Sequence, residues 1–238
     1  MEKPRYKRVL LKISGEALSA ESRSTVNGEV LDNLAHEIRQ VADLGVQVAV
    51  VVGGGNILRG VQASAAGVDR VSADHIGMLA TVINSLALQD VMERKGIPVR
   101  VQSAIAVERM AEPFSPKQAI GHLEKGRIVL FAGGTGNPYF TTDTAAALRA
   151  AEVAAEVILK GTKVDGVYDG DPMKDPKAQK FDELTHMELL RRNLRVMDLT
   201  AVSLCMDTGL PIIVFDLTTQ DNLKKVVLGR KVGTLIRG

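Results

Sequence analysis

The sequence predicts an α/β protein whose central sheet is mostly parallel and covered by helices on both faces. Three observations lead there. Short apolar runs rich in Val, Ile and Ala recur along the chain, as in Val46 to Val52 and Ile128 to Phe131, and strands of a parallel sheet are apolar on both faces. Segments with helical spacing alternate with these runs, the order that places a parallel sheet between helix layers. Glycine clusters follow three of the runs, where ligands bind in such sheets.

Arg8 to Ile13 reads as the first strand, followed by Ser14-Gly15-Glu16 and a polar loop to about Gly28. Val30, Leu34, Ile38 and Val41 recur at helical spacing, and Gly45 stands where a C-terminal capping glycine belongs. Val46 to Val52 is the second strand and runs into Gly53-Gly54-Gly55. Met78, Leu79, Val82, Leu86 and Val91 form the apolar side of a helix from about Asp74 to Lys95, closed by Gly96. Val99 to Val101 is a strand. Pro116 to Glu124 is a short helix, since proline is tolerated in a first turn. Ile128 to Phe131 leads into Gly133-Gly134-Thr135-Gly136-Asn137. The Ala-rich run Thr144 to Ala151 is a strong helix former, and Val157 to Leu159 is again a strand.

Beyond a loop carrying acids and prolines, Thr185-His186-Met187-Glu188 has the spacing of a capping box. A helix runs from about Asp198 to Gly209, then come a strand Ile212 to Phe215, a last helix to near Gly229 and a terminal strand Thr234 to Ile236. No Gly/Ser or Pro-rich linker and no internal repeat divides the chain, so residues 1–238 are expected to form one domain.

Composition narrows the function. Aromatics make up 3% of the chain, so the core must be aliphatic. A net charge of +2, without a long Lys/Arg tract or aromatics interleaved with basic residues, argues against nucleic-acid and membrane partners. The single cysteine, Cys205, excludes an internal disulfide, fits a reducing compartment and reads as a small buried hydrophobe. No run approaches the ~20 apolar residues of a membrane span, and Val9-Leu10-Leu11 is too short for a signal peptide. A soluble, cytoplasmic protein is expected.

A glycine run after a strand lets the backbone approach an anion, with N–H groups forming a nest and a following helix adding partial positive charge. Glycines also serve tight turns, but two such runs in equivalent places suggest two phosphorylated ligands facing each other. There is no G-x-x-x-x-G-K-[ST], no G-x-G-x-x-G with an acidic partner, no protein-kinase signature and no zinc-type spacing among the four histidines. Lys12 ends the first strand at the ligand edge; it either snorkels or meets a phosphate. Arg59, four residues after the triple glycine, is a solvated helix residue or a second cation. Both suit the charge that builds on a transferring phosphoryl group. An acceptor that is itself a phosphate monoester has a second pKa near ~6, as phosphoserine does, and needs no general base. Catalysis then reduces to aligning and screening two anions.

Several segments closely resemble the bacterial UMP kinases. They are Lys12-Ile13-Ser14-Gly15-Glu16-Ala17, Gly53-Gly54-Gly55-Asn56-Ile57-Leu58-Arg59-Gly60 and Asp74-His75-Ile76-Gly77-Met78-Leu79-Ala80-Thr81. Gly134 to Asp143, Lys160 to Tyr168 and Arg195 to Ala201 follow in the family's order, so the likeness spans nearly the whole chain. The resemblance implies the amino-acid kinase superfamily, an α/β/α sandwich, a homohexamer, and ATP, UMP and Mg²⁺ as reactants. Carried over, Lys12, Ile13, Ser14, Gly15, Gly55 and Arg59 hold ATP, with Thr162, Tyr168 and Asp171 around its adenosine. Gly54 and Asp74 contact UMP, and Thr135, Gly136, Asn137, Pro138, Tyr139, Phe140, Thr141 and Thr142 wrap it. Lys12, Arg59 and Asp143 are the catalytic set. Asp143 either orients Lys12 or supports the metal, whose protein ligands the sequence does not identify, or it simply caps the helix after it. Asp198 matches another family aspartate or opens its own helix. The resemblance also implies GTP as activator and UTP as inhibitor, with Arg100 and Arg127 as the candidate effector contacts. The loop Ser19 to Asn27 departs from the family's glycine-rich pattern. Two other readings stand beside this one, a carboxylate or carbamate kinase and a non-catalytic nucleotide-storage protein.

Overall fold

The computed structural model describes residues 2–19, 25–57, 67–175, 177–194 and 196–238. From the N-terminus, β1 (Arg8–Ile13) leads through a single 3₁₀ turn (Gly15–Leu18) to α1 (Gly28–Ala42) and β2 (Gln47–Val52). Then come α2 (Arg70–Arg94), β3 (Val99–Ser103), β4 (Glu112–Pro113), α3 (Pro116–Glu124), β5 (Ile128–Ala132), α4 (Thr142–Glu152) and β6 (Val157–Thr162). The last third holds β7 (Val167–Tyr168), β8 (Lys180–Phe181), β9 (Glu183–Thr185), α5 (His186–Arg191), α6 (Leu199–Thr208), β10 (Ile212–Asp216), α7 (Asn222–Val227) and β11 (Thr234–Arg237).

Among the described residues, nine strands form one sheet in the order β4-β3-β5-β2-β1-β6-β10-β11-β9, and β7 pairs with β8 apart from it. Every neighbour in the large sheet is parallel except β10 with β11. The expected α/β/α sandwich is therefore present. Period-2 alternation divides the core into two layers. Val9, Leu11 and Ile13 of β1 pack with Leu34 and Ile38 of α1 and Val91 of α2. Leu10 faces the other way, with Ala146 and Ala150 of α4 and Val202 of α6. Lys12 shares that second face by the same alternation, which is how a strand lysine comes to meet α4.

Capping residues set the helix starts. The Asn27 side chain accepts from the amides of Glu29 and Val30, and Thr185 and Glu188 form the expected capping box. α2 begins at Arg70, earlier than its apolar pattern indicated, because Asp69 caps it through Val71 and Ser72. α1 closes at Asp43, so Gly45 lies two residues past the cap, with φ 83°. The paired segments β4, β7, β8 and β9 have two or three residues each, too short to show a period in sequence.

One expectation about membranes needs correcting. α2 contains an 18-residue window of mean hydropathy 1.3, long and apolar enough to cross a membrane by length and composition. Polar residues such as Asp74, His75 and Asn84 interrupt the apolar run, and the many Val, Ile, Leu and Met residues between them keep the mean high. In the fold 44% of that window is buried, with Val82, Leu88, Val91 and Met92 in the core.

Candidate active site

At the carboxyl edge of the sheet two lysines share one aspartate. Lys12 and Lys160 are paired residues on adjacent parallel strands β1 and β6. Between them stands Asp143, in the first turn of α4, with ion pairs of 2.7 Å to Lys12 Nζ and 2.8 Å to Lys160 Nζ. The side chains of all three are 15% exposed or less. Burial pushes the Asp143 carboxyl up, but the two ammonium groups beside it outweigh that and hold it below the usual carboxylate range. Burial, aided by the Lys12 charge, lowers the Lys160 ammonium below its ordinary value. The cluster therefore carries surplus positive charge in a place shielded from water, where charge interactions are strong.

Sequence reasoning named Lys12 and Asp143 and missed Lys160. The missing signal was available, since Lys160 also stands near the carboxyl end of an apolar strand. Of the readings open for Asp143, the geometry favours orientation of the lysines, and its own helix is capped instead by Thr141, whose hydroxyl accepts from the Asp143 amide at 3.0 Å.

The three glycine loops meet at this edge. Gly15 and Gly53 pack backbone against backbone: a Cβ on Gly15 would lie 2.7 Å from the Gly53 carbonyl oxygen, and one on Gly53 would lie 2.8 Å from the Gly15 nitrogen. Those two are glycines because the loops interlock, whereas a Cβ on Gly55 would meet only the Glu16 side chain, at 3.6 Å and beyond. The third loop turns on Gly133 and Gly136, with φ of 77° and 83°.

α2 braces these loops with polar residues that its apolar pattern did not reveal. Asn84, fully buried, donates from Nδ2 to the Gly53 carbonyl at 2.7 Å. Thr81 Oγ1 accepts from the Gly133 amide at 2.8 Å. Asp74 Oδ2 accepts from the Tyr139 amide at 2.8 Å and from Arg70 Nε at 2.9 Å. Tyr139 has φ 71° and lies under the Arg70 guanidinium, 5.4 Å from its ring centroid. A tyrosine held at positive φ is costly, and such strain clusters at ligand sites. The run Thr135 to Thr142 thus forms one loop beside Asp74, with Tyr139 and Phe140 exposed. Asp198 joins it as well. It caps α6 by accepting from the Ala201 amide at 2.9 Å, and it also accepts from the hydroxyls of Thr141 and Thr144. The helix-opening reading of this residue is therefore met, and the same carboxylate bonds the loop as well.

The other named residues are arranged differently. Thr162 Oγ1 donates to its neighbour Val164 O at 2.6 Å. Tyr168 donates its hydroxyl to Asp165 at 2.6 Å, and Asp171 accepts from the Met173 amide at 3.0 Å. Ile13 and Thr162 line a cavity of about 590 Å³ together with Ala17, Leu34, Glu37 and Leu217. Tyr168 and Asp171 are not in its wall. Arg59 lies outside the described residues, as do Leu58, Gly60 and Arg195 of the motifs. Arg100 and Arg127 converge away from the glycine loops. Arg127 donates to His122 Nδ1 at 3.0 Å, His122 Nε2 therefore donates to Glu112 at 2.9 Å, and Arg100 Nε lies 3.6 Å from Glu112.

Among the described residues no group of three His, Cys, Asp or Glu side chains could hold a metal ion, and both oxygens of Asp143 face ammonium groups. Cys205 is buried and its thiol is pushed up to about 12, chiefly by burial, so it is inert packing as expected.

The model of the amino acid kinase family matches residues 7–216, from the residue before β1 to the end of β10. The UMP kinase of Bacillus anthracis superposes with a TM-score of 0.95 at 42% identity, over 98% of this chain and 96% of that one. The UMP kinase of Ureaplasma parvum gives 0.93 at 37% identity, over 98% and 100%. The uridylate kinase of Archaeoglobus fulgidus gives 0.73 at 31%, over 96% and 99%. With the family model spanning most of its length and whole-chain likeness at these identities, this chain belongs to the amino acid kinase family.

Proposed function

We propose that the chain transfers the terminal phosphate of ATP to UMP, giving ADP and UDP. The observation that carries this reading is the lysine pair bridged by Asp143 between glycine loops, in a chain 42% identical to a UMP kinase. UMP offers a phosphate dianion at neutral pH, so no side chain has to remove a proton. Lys12 and Lys160 neutralise the oxygens of the migrating group, and Asp143 keeps both ammonium groups in place. The backbone of Lys12 to Gly15 and Gly55 approaches the ATP phosphates. Thr162, with the hairpin residues Tyr168 and Asp171, serves its adenosine. Gly54 and the loop Thr135 to Thr142 receive UMP, and Asp74 Oδ1 is the oxygen left to accept from ribose hydroxyls. Arg59 is assigned to the ATP phosphates on its motif alone. Magnesium screens phosphate charge when it arrives with ATP, and no step is assigned to a metal held by the protein.

The reading extends to the whole molecule. Residues 1–238 act as one domain, supported by a single sheet that includes both β1 and β11. Ile76, Leu79 and Ile83 form an exposed apolar stripe on α2, 41%, 49% and 52% accessible. That stripe supports a homo-oligomer, of which the hexamer is the finer form, and a cytoplasmic setting goes with the same reading of the activity. Light scattering on Leu79→Lys is expected to show a smaller species, and an unchanged mass removes α2 from the interface. GTP and UTP remain the proposed effectors, with Arg100 and Arg127 as the cations available to them.

ADP release measured with UMP, CMP and a panel of carboxylates tests the substrate assignment. UMP is expected to be turned over best. Equal or better turnover of a carboxylate would favour a sister carboxylate kinase, and binding of nucleotides with no ADP release at all would favour a storage role.

A further inference from the structure

We infer that Asp198 is a positioning residue for the acceptor loop, acting through the hydroxyls of Thr141 and Thr144. The inference rests on the assignment of Thr135 to Thr142 to UMP and adds the residue that holds that loop in register.

The geometry begins at two helix starts that face each other. Thr141 caps α4 and Asp198 caps α6. Thr141 Oγ1 uses its lone pair for the Asp143 amide at 3.0 Å and its proton for Asp198 Oδ2 at 2.5 Å. A hydroxyl has one proton, so the Asp198 carboxylate decides which way it points. The Thr144 hydroxyl donates to the same carboxylate, 2.9 Å from Oδ2 and 3.0 Å from Oδ1. With the Ala201 amide at 2.9 Å, Asp198 takes three donors from two helices. A second tie lies two residues away, where Lys160 Nζ donates to the Val196 carbonyl. The start of α6 is thereby linked to two members of the cluster, to Lys160 directly and to Asp143 through Thr141.

A cap alone would need only one of these bonds. Asparagine and serine cap helices about as well as aspartate, yet neither can accept from two hydroxyls and an amide together. An asparagine keeps one accepting oxygen and presents an NH₂ group where Asp198 Oδ2 now accepts. Capping and positioning therefore separate in the two variants Asp198→Asn and Asp198→Ser.

Both variants are expected to melt close to the wild type while the KM for UMP rises at least tenfold and the KM for ATP stays within twofold. Amide exchange in peptides covering residues 135–144 is expected to quicken about tenfold, reporting a loosened loop with no substrate present. Should either variant fold poorly, Thr141→Val carries the test, and combining it with Asp198→Asn is expected to cost less than the sum of the two single losses, since the two residues share one hydrogen bond. Unchanged exchange together with an unchanged UMP KM in these variants overturns the inference and leaves Asp198 a helix cap. If the wild type proves inactive on UMP, quickened exchange still supports the positioning role and unchanged exchange still refutes it, so the two failures remain distinct.

Discussion

The two proposed nucleotide sides of the site are built in different ways. The acceptor loop is fixed by residues from distant parts of the chain: Thr81 holds Gly133, Asp74 holds Tyr139 and Asp198 holds Thr141. Around the proposed adenosine position the bonds are mostly short-range: Tyr168 with Asp165 and Asp171 with Met173, while Thr162 bonds both Val164 and the distant Phe215 carbonyl at 3.3 Å. The first side is a surface assembled by tertiary structure before any ligand arrives. The second, around the adenosine position, is built mostly of local turns, with Thr162 alone of the three lining the cavity. Asp143 joins them, because it follows the acceptor loop yet pairs with lysines on β1 and β6.

That comparison is broken most severely at the junction. Asp143→Asn leaves Lys12 and Lys160 buried side by side without a counter-charge, and loss of one partner of a buried ion cluster costs about 3–5 kcal/mol. Urea unfolding at neutral pH is expected to show a loss of that size. The pH dependence has a definite sign. The Asp143 carboxyl is depressed in the folded state, so its contribution is complete above the unfolded value near ~3.9 and is lost as pH falls through the folded value. The gap between wild type and variant should therefore narrow only in acid, and a gap that persists unchanged below that range contradicts the assigned charge.

Thr81→Val sharpens the acceptor side. It leaves the Gly133 amide buried without its acceptor, at a cost of about 1–3 kcal/mol, and denaturation midpoints together with UMP binding should both weaken. Stability unchanged within error would mean that the loop does not depend on α2. Tyr168→Phe probes the donor side and is expected to move stability by less than about 0.5 kcal/mol, as for a local bond on an exposed hairpin. A loss as large as that of Thr81→Val would erase the distinction between the two sides.

The same contrast explains what could be read from sequence. Features carried by adjacent residues were legible: the glycine loops after strands, the Thr185 to Glu188 capping box, and the α6 stop at Gly209 with φ 65°. Asn84 was not, being a polar residue in an apolar helix whose partner comes from helix packing, and Lys160 showed its place near a strand end but not its pairing with Asp143, which strand pairing sets. Asp198 was half legible, since its cap is local and its bonds to Thr141 and Thr144 are not. The antiparallel turn of β11 against β10 was also hidden, because a short apolar strand reads the same in either direction.

Lys12→Met tests the central claim most directly. Asp143 retains Lys160 as its counter-charge in this variant, so the fold should survive, and calorimetry should still register UMP binding. The rate of ADP formation with ATP and UMP is expected to fall by about 10²–10³, the usual cost of losing one preorganised charge contact. A folded Lys12→Met protein that phosphorylates UMP at the wild-type rate would contradict the account.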